Sequence, residues 1–540
     1  MSATETTRPT TIRLSGSSSD DAIPLSDLNT VPDSGVFNTA SPTKASKLRV
    51  TLTILQPSLV NFFCSFSNGV ITVGLPVIAR SIDLPRSLYL WPASVGGLTT
   101  GSTLLLAGSV ADMLGAKKVD LVGCLLLGIF TLACGFSQAG LQLVVFRALQ
   151  GIALAMHLPS SVAIVANTVP RGRPRNIGFA CLGLSQPLGF SVGLVASGVL
   201  IRDGGWRSAF YLPGAALLAL AAAAFWGLPK VEPEQPAVEG VSIWKRLLTD
   251  IDWVGGLIAS SGLAILAYIL AVLSADLTSI RTPSTATLLP VSIVLLVAFP
   301  FWMNYCERHQ RPALVPNALW NNMSFTSTCI MVGLSYAVMN AMELFSSLYF
   351  QEIQDSSTLA TSLKLLPNLL SGAVLNLSVG LFVDKLPARW LVSISSLLAS
   401  GAPLMMALVK PEWSYWYMEF WAQMLSPMSA DVLFTVGLII VSDVFPEKSQ
   451  GLAGAVFNTV GQFGLSLGMG VCQLVALGVT GESSSAGHGG SVESLDETDP
   501  AALLRGYQAS FWTMFACMTT CAAVAVMGLR KVGTVGLKRE

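Results

Sequence analysis

The stretch "GSVADMLGAKK", residues 108–118, places one aspartate, two lysines and two glycines between two long apolar runs. Charge at that density is foreign to the rest of the chain, in which 52% of the 540 residues are hydrophobic and only 11% are charged. Soluble domains carry roughly 25% charged residues, so this composition does not suit a water-facing surface. The mean hydropathy is +0.63. Apolar runs of about 20 residues recur, the length that crosses a hydrocarbon core of ~30 Å. Together these predict an all-α polytopic membrane protein, in a lipid bilayer, with residues 108–118 as a polar turn between two spans.

Runs and breaks predict fourteen transmembrane helices, near 51–78, 89–111, 119–138, 141–168, 178–201, 206–228, 252–275, 287–305, 323–349, 360–383, 390–409, 415–444, 451–480 and 508–529. Most of the 31 lysines and arginines fall on one side if both termini are cytoplasmic, which fixes the orientation by the positive-inside rule. Residues 1–46, rich in Ser, Thr, Pro and Asp, read as a disordered cytoplasmic tail rather than a signal peptide. The outer loop at 481–505 is acidic and polar, and "WSYWYMEFW" at 413–421 reads as an interfacial aromatic belt.

A formal net charge of zero argues against nucleic acid as a partner. Most of the nine cysteines lie inside apolar runs, and none forms a close-spaced metal or redox pair. The three histidines, His157, His309 and His488, fall at different depths. No metal site, cofactor or enzymatic cluster is expected.

The chain repeats itself. "IVANTVP" (164–170) recurs as "IVSDVFP" (440–446), Gln186 as Gln462, and Gly189 and Gly193 as Gly464 and Gly468. "GLFVDK" (380–385) restates the glycine, aspartate and base of the opening turn through Gly380, Asp384 and Lys385. Every match shifts by eight spans, so six helices are duplicated and two are inserted between the copies. Parallel six-helix repeats are a transporter architecture. The predicted division is a tail at 1–46, an N-terminal six-helix bundle at 47–228, a linker with two spans at 229–322, a C-terminal six-helix bundle at 323–530 and a tail at 531–540.

On these residues the chain resembles the major facilitator superfamily. "GSVADMLGAKK" is similar to its signature between helices 2 and 3, and "RALQG" (147–151) to its helix-4 motif. With fourteen spans it resembles the drug:proton antiporter branch, and "LSQPLGFSVG" with a degenerate first helix is most like the fungal aminotriazole-resistance and boron-exporter subgroup. The resemblance implies two six-helix bundles plus two linker helices, and alternating access that exports drugs, toxins or secondary metabolites against protons. Export of a small inorganic acid such as borate, or a transport-dead sensor, is the other reading. It further implies a monomer with a small-molecule substrate, in the plasma membrane or alternatively the vacuolar membrane. In the gating motif Gly108, Asp112, Gly115, Lys117 and Lys118, the resemblance has Asp112 facing the start of the thirteenth helix near Ser449–Gly451. By the repeat, Asp384 faces the start of the fifth near Asn176.

Ionisable groups within spans are expensive and therefore candidates for function. Arg147 and Glu343 share a depth and have opposite charge, which predicts either a static ion pair or a coupling device. Asp431 and His157 fall near mid-membrane. With Asn68, Gln186 and Gln462 they make up the expected proton-coupling and substrate cavity. The chain departs from the drug antiporters where it has Ser67 in place of a first-helix aspartate and Gln186–Pro187 in place of Gly-Pro. Both departures weigh against proton coupling unless Glu343 and Asp431 supply it, and the missing first-helix charge weighs against cation selectivity.

Overall fold

The computed structural model describes residues 47–85, 88–89, 91–170, 173–228, 245, 249, 251–273, 277–382, 387–445, 447–487 and 500–530. Both predicted tails, most of the linker at 229–250, residues 488–499 of the loop at 481–505, and Asp384 and Lys385 lie outside the described residues.

The described chain is helical: α1 (Lys47–Ser81), α2 (Trp91–Leu114), α3 (Ala116–Phe136), α4 (Gly140–Thr168), α5 (Arg173–Gly227), α6 (Trp253–Leu273), α7 (Pro283–Arg308), α8 (Met323–Leu348), α9 (Thr358–Phe382), α10 (Ala388–Leu408), α11 (Glu419–Leu425), α12 (Met428–Val444), α13 (Glu447–Gly487) and α14 (Pro500–Gly528). Among the described residues, 12 helical segments are long and apolar enough to cross a membrane. One of them, Cys181–Gly227, runs for 47 residues and breaks at Gly205, where φ is 73°. α2 is not among the 12, because glycines and threonines dilute its hydropathy, yet it packs between α4 and α13.

The segment predicted as one helix at 415–444 is instead two, α11 and α12. Pro427 stands at the break, since its ring removes one backbone donor and clashes with the preceding turn. Asp431 therefore sits in the first turn of α12, at the middle of the candidate span Glu419–Val441 that runs through the break. Trp416, Tyr417 and Trp421 before and within α11 remain more than half exposed.

Close approach of helices explains the recurring glycines. A Cβ on Gly189 would lie 2.1 Å from the Phe62 carbonyl oxygen, and one on Gly193 2.4 Å from that of Phe66. α5 thus lies directly on α1. In the second half a Cβ on Gly464 would lie 2.2 Å from the Gly333 carbonyl oxygen, and one on Gly468 2.5 Å from Ala337 Cβ. α13 therefore lies on α8 through the same small-residue spacing. The halves meet where α2 packs on α13 and α5 on α9, and α6 leans on α2, α7 and α13.

The opening turn is built as its residues suggest. Gly115 carries φ 95° between α2 and α3, a conformation that side chains disfavour. Lys117 reaches across to the carbonyl oxygens of Phe225 and Leu228 at the end of α5, where a helix exposes unpaired acceptors and a partial negative charge. Gly108 lies against Pro159 of α4.

Candidate functional site

The end of the bundle carrying Lys47 and Gly528 is here termed proximal, and the opposite end distal. In the first half the deepest cation is Arg147 of α4, which is 3% exposed. Its Nε donates to the Pro92 carbonyl oxygen at 3.0 Å, Nη1 to Gln150 Oε1 at 2.6 Å and Nη2 to Asn68 Oδ1 at 2.6 Å. Gln150 Nε2 passes the chain on to Thr131 Oγ1 at 2.8 Å and approaches Ser67 Oγ at 3.5 Å. The guanidinium is held by a fan of neutral oxygens. Ser67 brings no charge to this network, and the oxygens of Asn68 and Gln150 hold the arginine.

The second half carries the carboxylates. Glu343 on α8 is buried and accepts from Asn368 Nδ2 of α9 at 3.2 Å. Asp431 on α12 lies beside Asn376 of α9, whose Nδ2 donates to the Gly372 carbonyl oxygen at 3.1 Å. Its Oδ2 occupies the space left by Gly372, whose Cβ would lie 2.8 Å away. Among the described residues neither has a cation partner, so the predicted Arg147–Glu343 pair does not form. Equal depth left azimuth undetermined, and the two side chains turn to amides on their own halves instead. Gln462 of α13 lies at the seam between halves, against Gly97 and Gly101 of α2. Gln186 is half-buried on α5.

His157, expected near mid-membrane on α4, is fully buried with Nδ1 2.7 Å from Asp120 Oδ1 of α3. Cys124, one turn along α3 from Asp120, adds its Sγ 3.4 Å from the same Nδ1. The sequence predicts no metal-ligating set, and the grouping of Asp120 and Cys124 with His157 emerges only in the fold.

Of the residues that the resemblance assigns to gating, Asp112 and Lys118 are exposed, and Gly380 lies in α9. The side chains of Asn176 and Ser449–Gly451, the predicted partners of Asp384 and Asp112, lie outside the described residues. The distal face is better defined. A π-turn at Tyr349–Ile353 ends α8, the kind of backbone irregularity that clusters at functional sites. It swings Glu352 so that Tyr89 Oη donates to Oε1 at 3.0 Å and Tyr507 Oη donates to Oε2. Gln351 Nε2 donates to the Val73 carbonyl oxygen at 3.1 Å. A Cβ on Gly198 of α5 would lie 2.9 Å from Leu359 Cα of α9. The two halves are latched together at this end. Sequence reasoning missed the latch, because a lone glutamate at a helix end signals nothing until its distant tyrosines are placed.

Two helical halves, each with polar groups buried in the span, together with a signature turn, define a membrane transporter rather than an enzyme. Residues 58–469 match the family model of the Major Facilitator Superfamily, and the chain belongs to that family. It is 39% identical over 526 residues to MFS-type transporter 1 of Pyricularia oryzae, covering 91% of this chain and 85% of that protein. Efflux pump terJ of Aspergillus terreus is 26% identical over 406 residues, covering 74% of this chain and 76% of the pump. The Aminotriazole resistance protein of Saccharomyces cerevisiae is 24% identical over 427 residues, with coverage of 77% and 72%. Among solved structures, a bacterial homologue of the human lysosomal transporter Spinster, inward-facing and unoccupied, superposes with a TM-score of 0.59. It is 15% identical and covers 90% of this chain and 98% of that one, a likeness of fold.

Proposed function

We propose that this chain exports small organic compounds from the cytoplasm by alternating access, driven by protons. The observation that carries the reading is the pair of carboxylates inside the second half, Glu343 held by Asn368 and Asp431 beside Asn376, with no cation partner among the described residues. A carboxylate kept inside a membrane without a counter-ion is a place where a proton binds and leaves. Arg147, Gln150, Asn68 and Gln462 supply donors and acceptors for a small substrate near the seam between halves. Names such as Efflux pump terJ among the relatives favour export over uptake.

The proposed topology has both termini cytoplasmic, the distal face outside, and fourteen spans. That number counts α2 and both limbs of α5 around Gly205 as membrane-crossing. The bundles are 47–228 and 323–530, with the two linker helices between, in a plasma-membrane monomer. Substrate-resolved efflux from cells tests the whole, with a panel of organic toxins and borate and with the proton gradient intact or collapsed. Gradient-dependent efflux of an organic compound is expected. Export of borate alone, or efflux indifferent to the gradient, overturns it.

A further inference from the structure

Away from the carboxylates just described, three potential metal ligands converge between α3 and α4. His157 Nδ1 lies 2.7 Å from Asp120 Oδ1 and 3.4 Å from Cys124 Sγ, and Cys124 Sγ lies 3.8 Å from Asp120 Oδ2. All three side chains are completely buried, and their ligand atoms fall within 4.8 Å of one another. α1 supplies a fourth group. Gln56 is 7% exposed, its Nε2 is 3.7 Å from Cys124 Sγ, and its Oε1 is buried with no partner. Turning that amide by half a revolution, a choice left open by the equivalence of its two ends in shape, presents the carbonyl oxygen to the same point.

We infer that Asp120, Cys124, His157 and Gln56 form a binding site for a single Zn2+-type divalent cation that pins α3 to α1 and α4.

Bond lengths of about 2.0–2.3 Å in a tetrahedron put neighbouring ligand atoms roughly 3.3–3.6 Å apart. The thiol-to-imidazole and thiol-to-carboxylate separations lie within a few tenths of an ångström of that, and only the 2.7 Å imidazole–carboxylate contact has to open. Thiolate and imidazole together select a borderline-soft ion over Mg2+ or Ca2+. Charge narrows the choice. With the thiol deprotonated and Asp120 ionised, a divalent ion makes a site of zero net charge, whereas Cu+ leaves a buried negative charge that the apolar surroundings penalise. Binding releases the thiol proton and takes the Nδ1 lone pair of His157, so that the hydrogen of the neutral ring sits on Nε2. Nothing here is shared with the Arg147 network, which lies ten residues along α4, about 15 Å at the helical rise.

The test uses the full chain, expressed in cells supplied with Co2+ and purified in detergent without chelator. One Co2+ per chain is expected, with the visible d–d bands of a tetrahedral ion and a near-ultraviolet thiolate charge-transfer band. Cys124→Ser abolishes the charge-transfer band, and Asp120→Asn lowers metal content, while Cys64→Ser, in the same apolar cluster, changes neither. A wild-type chain without bound metal, or with bands that survive Cys124→Ser, overturns the inference and leaves His157–Asp120 as a hydrogen-bonded clasp. If Cys124→Ser does not yield folded protein, Cys124→Ala and the wild-type spectrum decide between the same two outcomes.

Discussion

At the scale of single residues, Asp431 and Glu343 look alike in sequence and differ in what surrounds them. Asp431 sits in the first turn after the Pro427 break, with its Oδ2 in the space that Gly372 leaves open. If it carries the coupling proton, Asp431→Asn keeps the shape and removes the titration. The expected result is that gradient-driven accumulation disappears while downhill exchange continues, measured with labelled substrate in vesicles with and without an imposed pH difference. Gly372→Ala acts on the same atom by sterics: the new Cβ would stand 2.8 Å from Oδ2. Overpacking of this kind costs about 1–3 kcal/mol, so slower transport is expected from protein that still assembles. Glu343→Gln is the contrasting case. With no bond to Arg147 to lose, and with an oxygen still available to Asn368 Nδ2, the variant is expected at wild-type yield and monodispersity after solubilisation. A collapse in yield would restore a structural role for the charge. Depth arithmetic along two helices put Arg147 and Glu343 at one level but did not make them partners, because rise per residue says nothing about which way a side chain turns.

At the scale of elements, what was legible in the sequence is what is local or repeated. The turn at 108–118 declared itself through Gly115, whose φ of 95° only glycine adopts readily, and through Lys117, which caps α5. Gly115→Ala is expected to destabilise the chain by about 1–3 kcal/mol, the range for a residue held in a sparsely populated backbone region. Thermal unfolding in detergent checks it, and an unchanged midpoint refutes it. Gly189 with Gly193, and Gly464 with Gly468, were visible as equivalents, and they make equivalent contacts on α1 and α8. What stayed hidden depends on azimuth between helices far apart in the chain. Asp120 opens α3 and His157 lies deep in α4, and no spacing rule links them. The break in the span at 415–444 was hidden differently: one proline in an apolar run is tolerated as often as it interrupts.

At the scale of the molecule, the proposed alternating access requires the halves to part at either face, so contacts between halves are the ones expected to be transient. The distal latch is such a set. Glu352 at the π-turn after α8 accepts from Tyr89 beside α2 and from Tyr507 of α14, so one side chain ties both halves. Gln351 adds its bond to the Val73 carbonyl of α1. Hydrogen bonds to a charged group contribute about 1.5–3 kcal/mol, and about 1.4 kcal/mol is a tenfold change in an equilibrium. Tyr89→Phe removes one bond between halves and leaves the bond from Tyr507 within the second half. The distally open state should therefore gain roughly tenfold over the closed one. Spin labels at Gln138→Cys, in the exposed α3–α4 connection, and Lys410→Cys, in the exposed α10–α11 connection, report the separation of the halves at that end. In lipid, the Tyr89→Phe chain is expected to show a larger population at long label distances, and Tyr507→Phe a smaller change, because its bond does not cross the seam. Equal shifts in the two variants would mean that Glu352 is stabilised as a buried group rather than used as a latch. No shift in either would place the barrier to distal opening in the α5–α9 contact at Gly198 and Leu359 instead.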